Sequence, residues 1–478
     1  MQKVGNKPYI SVNYTFDGLT PAGLPEDLCY KLNQYYEQKL RQDKTAHDKI
    51  EFEIIFNTYD FMTDTRLKEL AEYGFDDVEI SRLRNALFEI AKQTLEHYDE
   101  ICEEDLRSLG QLTELRHELR KHSPLAETNV MKLYSYIDEL LDSIKDHGTP
   151  QFTRQARCAF MARSFCRTLV EKGYFTKQEM DDFMLSIPTV ASEFERDFDL
   201  YSHGKLSRDD FNHLYGHLRL GTYDIRSDSY RNIYFDVASA NLTGNNKVKQ
   251  EAKSLDLERL QVALDEAGIP VTPEKFIEFI KKATQNREYF KFEFTKSLSL
   301  MLDVIVKLGE VMAIAREDMS YLEIQDLLSY HSRDSYIQTI ETRRRFYHVN
   351  SYLVLPEVIF DVGDIDVIDI DEARPNFITN KVVEAPIVNL DEDHDSDITG
   401  KIVVLTKADP GYDWIFAKDI AGFVTKYGGA ASHMAIRCAE FGIPAAIGCG
   451  EKIYQRIHRM QIMCLDCENG RITEKQSQ

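Results

Sequence analysis

Nowhere in the 478 residues does an uninterrupted apolar run approach the ~20 residues that a bilayer crossing requires. The N-terminus, MQKVGNKPYISVNYTF, has neither the long apolar stretch nor the small-residue cleavage site of a secretory signal. A membrane partner is therefore not expected, and the cytoplasm is the expected compartment. Positive charge is scarce as well: 58 Lys and Arg face 80 Asp and Glu, a net charge of -22. Nucleic-acid binders concentrate positive charge, so a nucleic-acid partner is not expected either. Cysteines are thin and scattered, at positions 29, 102, 158, 166, 438, 449, 464 and 467, which excludes a disulfide scaffold and predicts reduced, mostly buried thiols. The one C-x-x-C, Cys464 and Cys467 in QIMCLDCENG, sits in a strand-like context. There residues three apart point to opposite faces, which favours a structural reading over a zinc or redox pair. No P-loop is present, nor a G-x-G-x-x-G after a strand, nor a strand-rich region of several hundred residues able to hold a nucleotide.

What remains is the composition of a globular protein, 43% hydrophobic and 29% charged. At roughly 150 residues per domain, the length predicts two to four domains able to move relative to one another. Residues 1–65 read as a mixed α/β segment: PYISVNYTF as a strand, Pro25 to Leu40 as a helix and EFEIIFNTY as a second strand. Residues 66–352 carry helical periodicity in NALFEIAKQTLEHYDEI, VMKLYSYIDELLDSI, RCAFMARSFCRTLVEKG and SLSLMLDVIVKLGEVMAIA, and predict one large helical domain. Residues 353–399, rich in Val, Ile and Asp, read as a linker or hinge. Within it DEDHDSDITG resembles a calcium loop only superficially, since Ser396 replaces the obligatory glycine and Ile402 stands at the twelfth position; no metal site is expected. In residues 400–478, KIVVLT, AGFVTK, PAAIG and QIMCLD alternate with short helices, the pattern of a small α/β domain. The predicted fold class is thus multidomain: a large, mainly α-helical domain followed by a small α/β one.

The sharpest feature is GGAASHMAIRCAEFGIPAAIGCG, from Gly428 to Gly450. Gly428 and Gly429 permit a tight turn and close approach of a phosphate. Ser432 is placed to cap a helix whose first turn holds His433, and Gly442 and Pro444 end that helix. A phosphate on the imidazole would meet free backbone N–H groups and the positive end of the helix dipole. Histidine suits phosphoryl transfer because its neutral ring is a competent nucleophile near its ordinary pKa of about 6.5. Arg437, four residues on, shares the helical face and is the expected phosphate-neutralising cation.

On this loop the chain, over about 400–472, resembles the mobile (swivelling) domain of phosphoenolpyruvate-utilising enzymes, the family of phosphoenolpyruvate synthase, pyruvate phosphate dikinase and rifampicin phosphotransferase. Ala431 stands where the synthase and dikinase branches have threonine. The resemblance implies that His433 is phosphorylated from ATP and then travels to a second site. Only 28 residues follow Gly450, which leaves no room for the phosphoenolpyruvate-binding barrel of the synthase and dikinase. The segments HDKIEFEIIFNTYDF, YGHLRLGTYDI, REYFKFEFTK, REDMSYLEIQDL and ADPGYDWIF are similar to the L-glutamine kinase branch of these phosphoenolpyruvate synthase-like proteins. That resemblance implies a phosphotransferase whose acceptor is a small molecule such as the amide of L-glutamine. It also implies ATP and Mg²⁺ for the complete system, bound mainly by an ATP-grasp domain or protein outside this chain.

For the acceptor, YGHLRLGTYDI gathers His217, Arg219, Tyr223 and Asp224 among glycines. Two readings stand side by side: a loop that takes a zwitterionic amino acid, Arg219 on the carboxylate and Asp224 on the ammonium, or a helix-connecting turn bonded to itself. Arg287 is a further acceptor-binding candidate, although Arg287, Glu288 and Lys291 have the spacing of an ordinary solvated helix face. Arg343 to Arg345 read as a surface cluster. The alternative to an enzyme is a non-catalytic phosphocarrier or regulatory partner, or a truncated fragment of a phosphoenolpyruvate synthase-like enzyme.

Overall fold

The computed structural model describes residues 2–219, 221, 223–232, 254–350, 355–366, 375–392, 396–429 and 432–475. Long helices dominate its first two thirds: Glu26–Gln42, Asp77–Lys121, Val130–His147, Thr149–Glu171, Pro273–Val311 and Arg333–Asn350. The second begins at a reciprocal capping box, Asp76 with Glu79, and buries Leu83, Leu87, Ala91 and Leu95 at four-residue spacing. The Pro273–Val311 helix starts with Thr272 as cap and Pro273 in its first turn, where a missing N–H costs nothing. It buries Leu300, Met301, Leu302, Val304, Ile305 and Leu308, and the helices Asp77–Lys121, Val130–His147 and Thr149–Glu171 pack against it.

The N-terminal segment departs from expectation. A short hairpin, β1 (Gln2–Val4) and β2 (Lys7–Tyr9), ends before VNYTF, which lies in the helix Val12–Leu19. Its Phe16 packs on Tyr36, ring centroids 5.5 Å apart. The expected strand EFEIIFNTY instead begins as a wide helical turn, Ile50–Ile54, closed by the Ile55 N–H on the Ile50 carbonyl at 2.9 Å. Both runs are rich in strand-favouring residues, but burial against the Glu26–Gln42 helix outweighs that weak preference. The first 65 residues are not a separate unit, because Phe16, Ile54 and Phe56 share one core with Phe165, Phe183 and Phe276.

The C-terminal sheet has seven strands: β3 (Asn376–Ile378), β4 (Val382–Asn389), β5 (Ile402–Lys407), β6 (Gly422–Tyr427), β7 (Ala445–Ile447), β8 (Ile462–Asp466) and β9 (Arg471–Glu474). Their order is β3-β7-β6-β5-β4-β8-β9. The middle four run parallel, and β3, β8 and β9 add antiparallel edges. Side chains alternate between two cores: Val403, Leu405 and Phe423 on one face, Ile402, Val404 and Val424 on the other. The small α/β domain is thus present, but β3 and β4 fall inside the stretch 353–399 expected to be linker. Pro386 and Glu384 in VVEAPIVN mask the strand signal, since proline in a run argues against a central strand. Cys467 is buried, and burial pushes its thiol up to about 11.

One sheet face does not close on its own domain. Val403, Leu405, Phe423 and Met434 share a core with Phe194, Phe198, Tyr215 and Tyr230 from the helical part. The Tyr230 hydroxyl, fully buried, donates to the Gly411 carbonyl across this contact. Among the described residues no helix is long and apolar enough to cross a membrane.

Candidate functional site

The shared core sets the position of the glycine loop. After β6 the chain turns at Gly428, whose φ of 137° lies in the region that favours glycine; a Cβ there would fall 2.9 Å from Ala408 Cβ and 3.0 Å from Ile447 Cγ2. At Gly429 a Cβ would fall 2.8 Å from Asp48 Oδ2, so the loop passes directly beneath a carboxylate of the N-terminal segment. Ala430 and Ala431 lie outside the described residues. The Ser432 hydroxyl accepts the Ala435 N–H at 3.4 Å, which makes His433 the first residue of the helix His433–Phe441; Gly442, φ 63°, ends it.

His433 is half-buried, and the carboxylate of Asp413, from the turn Pro410–Ala417, receives its Nε2 at 2.6 Å and 2.8 Å. Asp413 belongs to ADPGYDWIF, and its 20-residue separation from His433 gives no sequence signal. Burial of the ring acts to lower the imidazole pKa; the charge and hydrogen bond of Asp413 outweigh it and leave the value raised above the ordinary 6.5. From the helical part, Lys291 lowers it further and Glu288 raises it. Both sit on the Pro273–Val311 helix beside Phe292, which packs against the core containing Met434 and Ala435. Among the described residues, Lys291 forms no ion pair and no hydrogen bond.

Because the folded-state pKa is raised, protonated His433 favours this arrangement below about pH 6.5, and that contribution fades as pH rises through the folded value. Asp413→Asn leaves burial and Lys291 dominant. The imidazole resonances of His433 should then titrate below 6.5 rather than above it, as followed by long-range ¹H–¹⁵N NMR. An unchanged titration midpoint would refute the Asp413 assignment.

Several expected site residues have other occupations. Arg437 pairs with Glu440 at 2.8 Å on its own helix and with Glu195 of the helix Val190–Ser202, with Phe441 packed 4.5 Å below its guanidinium. The expected phosphate-neutralising cation is thus neutralised by two carboxylates that sequence spacing alone does not reveal. Arg219 is fully buried: Nε donates to Ser299 Oγ at 3.1 Å, Nη1 to the Ser227 carbonyl at 2.7 Å, and Nη2 to the Ser299 carbonyl at 3.0 Å and to Asp303. Four of its five N–H donors are thus taken by the protein itself, and its charge is met by Asp303. His217 is buried edge-on to Phe292 at 4.6 Å; burial first, then Lys296 and Arg231, hold its pKa well below 6.5, so it is a neutral ring. For Asp224, burial acts upward, but the bonds from Arg226 at 2.7 Å and 3.0 Å win and hold its pKa at about 2; Lys407 lies 3.5 Å away. Tyr223 is exposed and Arg287 pairs with Glu288 at 3.1 Å. Among the described residues of YGHLRLGTYDI, the charged groups of Arg219 and Asp224 are thus engaged by Asp303 and Arg226 of the chain itself. Arg343 and Arg344 pair with Asp326 and Asp318, as a surface cluster would.

Fold and loop together define a class: a small α/β domain carrying a carboxylate-held histidine at a helix start, seated on a helical body. Residues 398–470 match the model of the family described as PEP-utilising enzyme, mobile domain, which coincides with the segment singled out by its glycine loop. Two curated relatives are rifampicin phosphotransferases. The one from Bacillus subtilis (strain 168) is 28% identical over 222 residues, 42% of this chain and 24% of the relative; the one from Bacillus cereus is 26% identical over 212 residues, 40% and 24% respectively. The chain matches about a quarter of the length of these relatives.

Proposed function

We propose that this chain is a phosphotransferase that carries a phosphoryl group on His433 and delivers it to a small molecule held between the sheet domain and the Pro273–Val311 helix. The observation that carries the reading is the placement of His433, at a helix start and held by Asp413, with Glu288 and Lys291 of the Pro273–Val311 helix near enough to act on its charge. In the transfer, an N–H or O–H group of the acceptor attacks phosphorus, the N–P bond breaks, the electron pair returns to the imidazole, and the acceptor proton passes to a neighbouring carboxylate. The relatives' name supports phosphotransfer as the reaction class. The amide of L-glutamine or a similar amino acid is the acceptor to try first, and ATP with Mg²⁺, presented by an ATP-grasp domain or protein, the source. Among the described residues no group of three or more His, Cys, Asp or Glu side chains is placed to hold a metal ion, so no step is assigned to Mg²⁺ here.

In this reading the sheet domain swings between the donor site and the helical body, and the shared core is its acceptor-side position. In this reading Lys291, not Arg437, is the cation that meets the phosphoryl group on the acceptor side. Lys291→Met should slow acceptor-dependent discharge of phosphohistidine on the order of 100-fold while leaving its chemical formation intact. Loading with phosphoramidate, then following the adduct by intact mass at alkaline pH with and without L-glutamine, measures both steps. Equal discharge in the variant and the parent chain would eliminate Lys291. Phosphate retained on His433 with every acceptor tried would make the chain a phosphocarrier rather than an enzyme.

A further inference from the structure

A cavity of about 710 Å³ lies apart from the histidine loop, between the turn Asp17–Leu24, the Asp77–Lys121 helix and the Thr149–Glu171 helix. Its walls are mostly apolar, with Ile90, Ile101, Phe160 and Met161 among them. Two of its charged groups are already satisfied: Asp17 accepts from Asn33 at 2.5 Å, and Arg154 pairs with Asp105 at 3.3 Å. Arg157 is different. Among the described residues no carboxylate or other acceptor meets its guanidinium, and burial pushes its pKa down. A half-buried cation with no counter-charge among the described residues, on the wall of an otherwise apolar cavity, is a site with one missing partner.

We infer that this cavity binds a small organic carboxylate, the anionic head on Arg157 and the apolar body against Ile90, Ile101 and Met161. The size fits a compact ligand, and the guanidinium supplies a planar, two-point donor for a carboxylate. Binding at this place requires neither His433 nor an acceptor.

The test uses the full chain and the anionic fluorophore 8-anilinonaphthalene-1-sulfonate as reporter, displaced by octanoate or by 1-octanol, which share an apolar body. Octanoate should displace the reporter at a concentration at least about tenfold below octanol, the margin one charge-assisted pair supplies. Arg157→Gln should abolish that preference, Arg157→Lys should keep part of it, and Thr94→Phe, which fills the cavity, should remove reporter binding. Arg157 is only half-buried and forms no ion pair among the described residues, so Arg157→Gln should stay folded with a melting temperature close to that of the parent chain. Octanoate no better than octanol, the same preference in Arg157→Gln, or no reporter binding to the parent chain would each overturn the inference.

Discussion

His433→Gln is expected to abolish the proposed phosphoryl transfer and to leave the chain folded. The loss is expected to be complete because the nitrogen that forms the N–P bond is removed, and no other side chain described at the site is a phosphorylatable ring. Stability should change little: His433 lies outside the buried core clusters, and a glutamine amide retains a donor for Asp413, whereas alanine would leave that carboxylate unpaired at a cost of about 1–3 kcal/mol. Intact mass after incubation with phosphoramidate, or with Mg-ATP and a donor protein, shows the result directly. An acid-labile adduct that persists in His433→Gln, or appreciable turnover by it, would sink the mechanism.

Asp303→Ala is expected to have the largest effect on stability and to act far from the chemistry. Arg219 is fully buried with Asp303 as its counter-charge, and its remaining bonds go to Ser227 and Ser299. Removal of the aspartate strands a buried guanidinium, which costs about 3–5 kcal/mol. Chemical denaturation should show a large fall in midpoint. The double replacement Arg219→Met with Asp303→Leu should recover most of it, because two apolar side chains of similar volume leave no charge buried without its partner. Tyr223→Ala, on the exposed tip of the same loop, should stay within about 0.5 kcal/mol of the parent chain. A small effect of Asp303→Ala would return Arg219 to the list of ligand-binding candidates.

The contrast between these two sites marks how far local reasoning reaches. The helix start at His433 is written in adjacent residues: glycines before, a serine cap, a glycine stop nine residues later. Each acts on backbone within one or two turns of itself, so the geometry follows from the order of the letters. The long helices are legible for a similar reason, since one apolar stripe repeated over ten or more residues leaves few alternatives. The short runs VNYTF and EFEIIF are not, because their strand preference is worth less than the burial of Phe16, Ile54 and Phe56. The sheet was legible in its parallel middle and hidden at β3 and β4, where proline and a glutamate interrupt the apolar run.

Charge partners are the part no local pattern supplies. Arg437 and Lys291 look alike in the sequence, one on the histidine's own helical face and one on an ordinary charged helix. The tertiary structure gives Arg437 two carboxylates and, among the described residues, gives Lys291 none while setting it near enough to act on the imidazole's charge. Asp413 comes to His433 from a turn 20 residues earlier, and Asp48 reaches Gly429 from the other end of the chain. By itself the sequence determined the elements with strong short-range signals, the helical body, the parallel strands and the capped histidine loop, because backbone preferences act between near neighbours. Which cation stays free, which carboxylate orients the ring and which residues face it across the shared core were decided only by the tertiary structure, because electrostatic partners are chosen by distance in space, to which separation along the chain is no guide.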